Sequence, residues 1–257
     1  MARFDKFLEK VTIREPADVR GAAENLRDIS HELGEYRVAV CHNIAIREQM
    51  NDAEGRCLAT DVFGWTDDDQ DRWWRTPQLA LDSPLPTACR YESEPFWCNE
   101  EGFRTIVPNP MLASLDCRDF VKRGLTPAAI VVPTHMPFGQ IGAASFIPHD
   151  RTKLDLSEDF ARNGTVLGLL ARLFMVGYVH AMCDSREVPI APQLTKREVE
   201  CLHWAAIGKT DTEIGMILER SRATVRFHMK NASDKLDAVN RGQALFKATQ
   251  LGYIAPR

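Results

Sequence analysis

Between Ser221 and Leu236 the chain reads Ser-Arg-Ala-Thr-Val-Arg-Phe-His-Met-Lys-Asn-Ala-Ser-Asp-Lys-Leu, a stretch that only a helix satisfies. Val225, Met229, Ala232 and Leu236 recur at i, i+4, i+7 and i+11, which makes one apolar helical face. Arg222, Arg226 and Lys230 recur every fourth residue, so three cations line another face. Ser221 stands where its hydroxyl can accept a free backbone N–H. A stripe of cations on one helix is by itself more often a solvated face than a binding surface. The neighbouring segments tilt that balance.

Thr195-Lys-Arg-Glu198 has the form of a capping box, and Val199, Leu202, Ala205 and Ala206 follow as an apolar stripe that Gly208 ends. Thr210-Asp-Thr-Glu213 is a second box, followed by Ile214, Ile217 and Leu218. A fourth helix starts at Asn240, carries Ala244, Ala248 and Leu251, and closes at Gly252. A short helix, a tight turn and a longer basic helix make the helix-turn-helix pattern. The second helix of that pattern fits the major groove, where each base pair shows its own donors and acceptors.

The strings Leu194-Thr-Lys-Arg-Glu198, Trp204-Ala-Ala-Ile-Gly-Lys-Thr210, Thr224-Val225, Phe227-His-Met-Lys-Asn231, Lys235-Leu236, Asn240-Arg241 and Leu251-Gly252 closely resemble the C-terminal domain of LuxR-type transcription regulators, the quorum-sensing branch above all. One departure is Glu219-Arg220, where the family has glycine followed by an apolar residue; this strains the turn or turns Arg220 outward. The resemblance implies binding to double-stranded DNA as a homodimer. Arg226 and Lys230 fall on the family's base-contacting positions, and Lys209, Thr210, Arg222 and Thr224 are the expected phosphate contacts.

Charge divides along the same line. Residues 194–257 hold 11 basic and 7 acidic side chains, a net of +4, which leaves −8 for the rest of a chain whose total is −4. A basic segment suits a phosphate partner. The seven cysteines are scattered without a C-x-x-C pair, which points to reduced thiols in the cytoplasm, a bacterial one by the resemblance. No signal-like core opens the chain, and no apolar run reads as long enough to cross a bilayer.

The preceding residues read as a helix over 16–33, a strand over 36–44, a weaker strand over 57–63, a helix over 66–75 and a proline-rich loop or edge over 77–95. A helix over 109–123, strands over 128–132 and 139–147 and a long helix over 156–182 follow. Gly142 and Ala143 inside a strand suggest close approach to the backbone. The expected fold is α+β: an N-terminal α-β-α sandwich with an antiparallel, ligand-binding sheet over 1–183, a linker over 184–193, and an all-α four-helix domain over 194–257. Such a layer can hold a small apolar molecule between sheet and helices.

Here the resemblance to the same family rests on order and a few residues. It implies that Asp82 bonds a ligand amide, that Trp97 donates its indole N–H to a ligand carbonyl, and that Trp73 brings an aromatic ring to the ligand. Trp73 replaces the family's usual tyrosine, and Asp69 stands where a tryptophan is usual. The implied effector is an acyl-homoserine lactone or another apolar or aromatic molecule, with no further cofactor and no metal. Buried tryptophans are also common in ordinary cores. RNA polymerase is a further expected partner, and no membrane is.

Nucleotide-binding glycine loops, zinc-protease spacing and the nucleophile elbow are all absent. Ser30-His31-Glu32 holds triad residue types, but adjacent residues on one helix point apart. The reading is therefore a small-molecule-responsive transcription regulator and not an enzyme. Two alternatives stand beside it: a first domain that serves only dimerisation or protein contacts, and a catalytic domain fused to a DNA reader.

Overall fold

A computed structural model describes residues 2–46, 48–65, 82–182 and 193–255. The chain divides into two compact units, one holding Met1–Met136 and Gln140–Asp184, the other Pro137–Gly139 and Ser185–Arg257.

In the first unit, α1 (Ala2–Val11) and α2 (Asp18–Gly34) precede β1 (Tyr36–Cys41) and the short α3 (Leu58–Asp61). Next come α4 (Pro84–Tyr91), β2 (Phe96–Asn99), β3 (Gly102–Thr105), α5 (Pro110–Ala113) and α6 (Phe120–Gly124). The hairpin strands β4 (Ala128–His135) and β5 (Ile141–Pro148) and the long α7 (Ser157–Met182) complete it. Among the described residues the sheet is antiparallel, in the order β1-β5-β4-β2-β3.

Strand alternation gives this sheet two different faces. Tyr36, Val38, Ile130, Val132 and Phe146 point toward a core shared with Leu26 of α2 and Leu167, Leu170 and Phe174 of α7. Each such fully buried side chain contributes about 1.5–3 kcal/mol. Gly142 lies on this face because nothing larger fits: an added Cβ would sit 2.8 Å from Met175 Cγ. The other face carries Phe96, Cys98, Ala129 and Val131, covered by Leu85, Ala88 and Cys89 of α4, Leu112 of α5 and Phe120 of α6. The unit is thus the expected sandwich of helices around an antiparallel sheet.

Several local expectations need correction. Cys57–Phe63 is not a strand. Cys57 makes a single bridge to Asn51 and the chain then coils into α3, after a loop in which Asp52 accepts backbone bonds from Glu54 and Arg56 and ion pairs with Arg20 and Arg56. The proline-rich stretch contains α4. Ser83 caps it by accepting from the Leu85 amide, and Pro84 occupies the first turn, where a missing N–H costs nothing. The single helix expected over 109–123 is two short ones, separated where Asp119 takes a left-handed φ of 53°. Helix α1 and the hairpin β2–β3 were not anticipated. Helix α7 is long and apolar enough to cross a membrane by length and composition, contrary to the sequence expectation. Its apolarity also serves the core, where Leu167, Leu170, Ala171, Phe174 and Met175 are fully buried. The helix expected over 66–75, with Trp73 and Trp74, lies outside the described residues.

Among the described residues the second unit has four α-helices, α8 (Lys196–Ala206), α9 (Asp211–Leu218), α10 (Arg222–Lys235) and α11 (Arg241–Gln250). Cys201, Leu202, Ile214, Val225, Ala232, Ala244 and Ala248 close its core.

Candidate nucleic-acid interface and ligand cavity

Both capping boxes form. The Thr195 amide donates to Glu198 Oε2 at 2.7 Å and the Thr210 amide to Glu213 Oε2 at 2.8 Å, while each glutamate's own amide donates back to the threonine hydroxyl. Glu198 is buried and also takes Lys235 Nζ at 2.8 Å, so it ties the start of α8 to the end of α10. Burial would raise the Glu198 carboxyl; the bonds from Lys235 and Thr195 outweigh it and hold the group below its ordinary value.

The turn between α9 and α10 is tight. The Arg220 amide donates to the Gly215 carbonyl at 2.8 Å, and a Cβ on Gly215 would meet the Arg220 carbonyl oxygen at 2.6 Å. Glu219, in the family's usual glycine position, adopts a left-handed φ of 54°. That conformation costs a residue with a Cβ about 1–2 kcal/mol. Arg220 is exposed, with its guanidinium 3.0 Å from the Glu219 carbonyl.

Ser221 caps α10 by accepting from the Thr224 amide at 3.0 Å. Val225, Met229 and Ala232 are buried, which leaves the cationic row pointing outward. Arg222, Arg226 and Lys230 are exposed and make no ion pair or hydrogen bond among the described residues. Thr224 is half-buried, with its hydroxyl 2.8 Å from Ser221 Oγ. Lys209, Thr210 and Arg222 line one hollow together with Arg241. Arg241 binds Asp211 and donates to the Lys209 carbonyl at 2.8 Å, which fixes the loop before α9. The sequence reading missed Arg241 as a site residue, although it closes one of the strings that carried the resemblance. An outward row of unpaired cations beside a cation-lined hollow can engage phosphates along its length and guanine edges at its centre.

The first unit holds a cavity of about 150 Å³ on the α4–α6 side of the sheet. Small side chains open it: Ala39, Cys41, Ala143 and Ser145 lie on the cavity side of β1 and β5, where the opposite face carries Val38 and Phe146. Leu85, Pro86 and Cys89 of α4 form part of the wall, and Leu125 and Thr126 part of another. Trp65 contributes an indole whose N–H donates to the Val38 carbonyl at 2.6 Å. The Arg37 guanidinium lies 3.9 Å over that ring and donates to the Gly64 carbonyl. Burial pushes the Cys41 thiol up to about 11 and the Cys89 thiol up to about 12, so both are neutral at physiological pH. Among the described lining residues none is charged.

Of the three residues expected to grip a ligand, the two described ones, Asp82 and Trp97, do not line this cavity. Trp73 lies outside the described residues. Asp82 is exposed at the approach to α4, where its carbonyl accepts from Arg123 Nη2 at 2.6 Å. Trp97 sits on the other side of the sheet. Phe96 and Cys98 on either side of it point toward α4 and α6, so alternation turns Trp97 toward the α2–α7 core, away from the cavity. The residues that do line the cavity could have been suspected from the run of small residues Gly142-Ala-Ala-Ser145 in a strand.

Residues 192–248 match the family model described as bacterial regulatory proteins, luxR family. This segment is a LuxR-type helix-turn-helix domain. The chain is also similar to the transcriptional activator protein VanR of Vibrio anguillarum, 39% identical over 131 residues, which are 50% of this chain and 52% of that protein. It is similar to the quorum sensing-dependent regulator VjbR of Brucella ovis, 36% identical over 148 residues, 56% of this chain and 54% of that protein. The chain thus spans about half the length of these curated relatives. Crystal-structure similarity extends further. Escherichia coli SdiA matches with a TM-score of 0.52 at 18% identity, covering 99% of each chain. SdiA in complex with octanoyl-rac-glycerol matches with a TM-score of 0.50 at 17% identity, covering 100% of this chain and 97% of that one. At such identities these two share a fold with this chain, with the LuxR-type domain at its C-terminal end.

Proposed function

We propose that this chain is a small-molecule-responsive, DNA-binding transcription regulator. The observation that carries the reading is the outward, unpaired row Arg222-Arg226-Lys230 on a capped helix of a LuxR-type domain. Arg226 and Lys230 read base edges, and Lys209, Thr210, Arg222 and Thr224 hold phosphates. The protein works as a homodimer in the cytoplasm, with two α10 helices about one DNA turn apart, roughly 34 Å, and it acts on transcription through RNA polymerase. It is not an enzyme. Residues 1–183 are the sensor, 184–193 the linker and 194–257 the DNA-binding domain.

The neutral cavity supports a compact, uncharged, largely apolar effector, and no other cofactor is needed. An acyl-homoserine lactone is one member of that class. The placement of Trp97 away from the cavity favours a different apolar or aromatic compound. It equally supports the second reading, in which the first unit serves dimerisation without a ligand.

Arg226→Ala should weaken binding to a selected duplex by about 1–3 kcal/mol and relax sequence preference, whereas Lys209→Ala should weaken all duplexes alike and flatten the salt slope. Equal loss on selected and random DNA for Arg226→Ala contradicts its role. A thermal-shift screen of lactones and aromatic acids addresses the effector: a ligand at 100 times its Kd stabilises by about 2.7 kcal/mol. No shift with any compound, alongside intact DNA binding, favours the ligand-independent reading.

A further inference from the structure

Ser30, His31 and Glu32 point apart from one turn of α2. Ser30 is buried, and its hydroxyl donates to the Leu26 carbonyl at 2.6 Å. His31 faces outward and is exposed. One turn further on, the Glu35 amide donates to the His31 carbonyl at 2.8 Å and closes the helix. The Glu35 carbonyl accepts from the His149 amide at 3.0 Å, which carries the β1–β5 ladder one rung past Tyr36 and Pro148. Two backbone bonds thus set two histidines from distant parts of the chain side by side. Their ring centroids lie 5.7 Å apart, with the planes at 83°.

Both rings are exposed, and among the described residues neither makes a hydrogen bond or an ion pair. Neutral imidazole is a ligand for zinc, nickel and copper, whereas magnesium and calcium take oxygen. Two imidazoles that share such an ion at ordinary bond lengths have centroids about 5–6 Å apart. The backbone already fixes both residues, so ring rotation alone aims a nitrogen of each into the space between them. His31 also lies in the last turn of α2, where the free carbonyl ends favour a cation. No third metal-ligating side chain joins the pair among the described residues, so water takes the remaining positions. We propose that His31 and His149 form a two-histidine site for a divalent transition metal, which clamps the end of α2 to the end of β5. Neither residue lines the cavity, so the site is a staple of the first unit and no part of the effector's seat.

The test uses the full chain without a polyhistidine tag, stripped of metal by a chelator. Titration calorimetry with nickel chloride should show one ion bound per chain, and saturating nickel should raise the unfolding temperature of the first unit by mass action. Magnesium chloride should do neither. His31→Gln and His149→Gln should each weaken nickel binding by more than the roughly tenfold that loss of an outer partner costs, and each should abolish the thermal rise. Both variants should unfold like the wild type in the absence of metal, because the rings are exposed. The ring-proton resonances of these two histidines should broaden together on adding nickel. Absence of binding with both nickel and zinc overturns the proposal. So does nickel binding that survives both substitutions, which would place the ion on other side chains, and so does a loss confined to one of the two variants, since the ion would then not be shared.

Discussion

The two units solve the making of a site in opposite ways. In the second unit the candidate interface is local: a single helix of 14 residues carries the cationic row, and its caps and buried face follow from residues within four positions of one another. In the first unit the candidate site is non-local. Its lining comes from Ala39, Trp65, Leu85, Thr126 and Ser145, which adjoin only because β1 pairs with β5 and α4 covers them. A helical interface tolerates change in the rest of its domain as long as the helix is held at its two ends. A sheet cavity depends on every element that frames it. Mutations should therefore separate the units cleanly, the second failing at a few tie points and the first yielding gradually.

The largest effect belongs to the turn. Gly215→Ala sets a methyl against the Arg220 carbonyl, which is backbone and cannot swing aside. It should cost the second unit about 3 kcal/mol, at the upper end of overpacking penalties. Denaturant unfolding followed by probes in each unit should show one transition displaced and the other in place. A shift of both by the same amount would mean that the units unfold as one, and the contrast drawn here would not hold.

The Glu198 tie comes next. Glu198→Ala removes the acceptor of the Thr195 amide and of Lys235, a loss of about 1–3 kcal/mol; Lys235 is partly exposed and finds water instead. The same carboxylate makes stability depend on pH. Folding holds it ionised below its ordinary value near 4.5, so its contribution is complete above that value and is lost as the pH falls through the lower folded value. Glu198→Gln should flatten the acid side of the stability curve for the second unit. An unchanged acid slope would assign that dependence to other carboxylates.

The same contrast explains what could be read from residue order. Capping boxes at Thr195 and Thr210, the N-caps at Ser221 and Asn240 and the buried row of α10 all form as their local patterns require, because each rule spans four residues or fewer. The hairpin of β4 and β5 and the long α7 were legible for a related reason, being long and strongly patterned. The two-stranded β2–β3 was not, since four-residue strands leave too little alternation to detect. Trp97 follows from the family resemblance by its distance along the chain after Asp82, whereas its side is set by the register of β2 against β4.

The smallest effect probes the cavity wall. Trp65 is held at the edge strand β1 by its own N–H bond to Val38 and by Arg37 stacked above it. A half-buried stack of this kind together with the bond to Gly64 contributes about 1 kcal/mol, so Arg37→Ala should lower the first unit's stability by about that and leave the second unit untouched. Arg37→Lys keeps the charge but loses the planar contact and the bond to Gly64, so it should behave nearly like alanine. If lysine restores full stability, the contact is electrostatic attraction alone and the indole is positioned by its hydrogen bond. If both variants lose several times the expected amount, the wall at Trp65 is a keystone of the first unit, and its cavity is as dependent on a single tie as α10 is on Glu198.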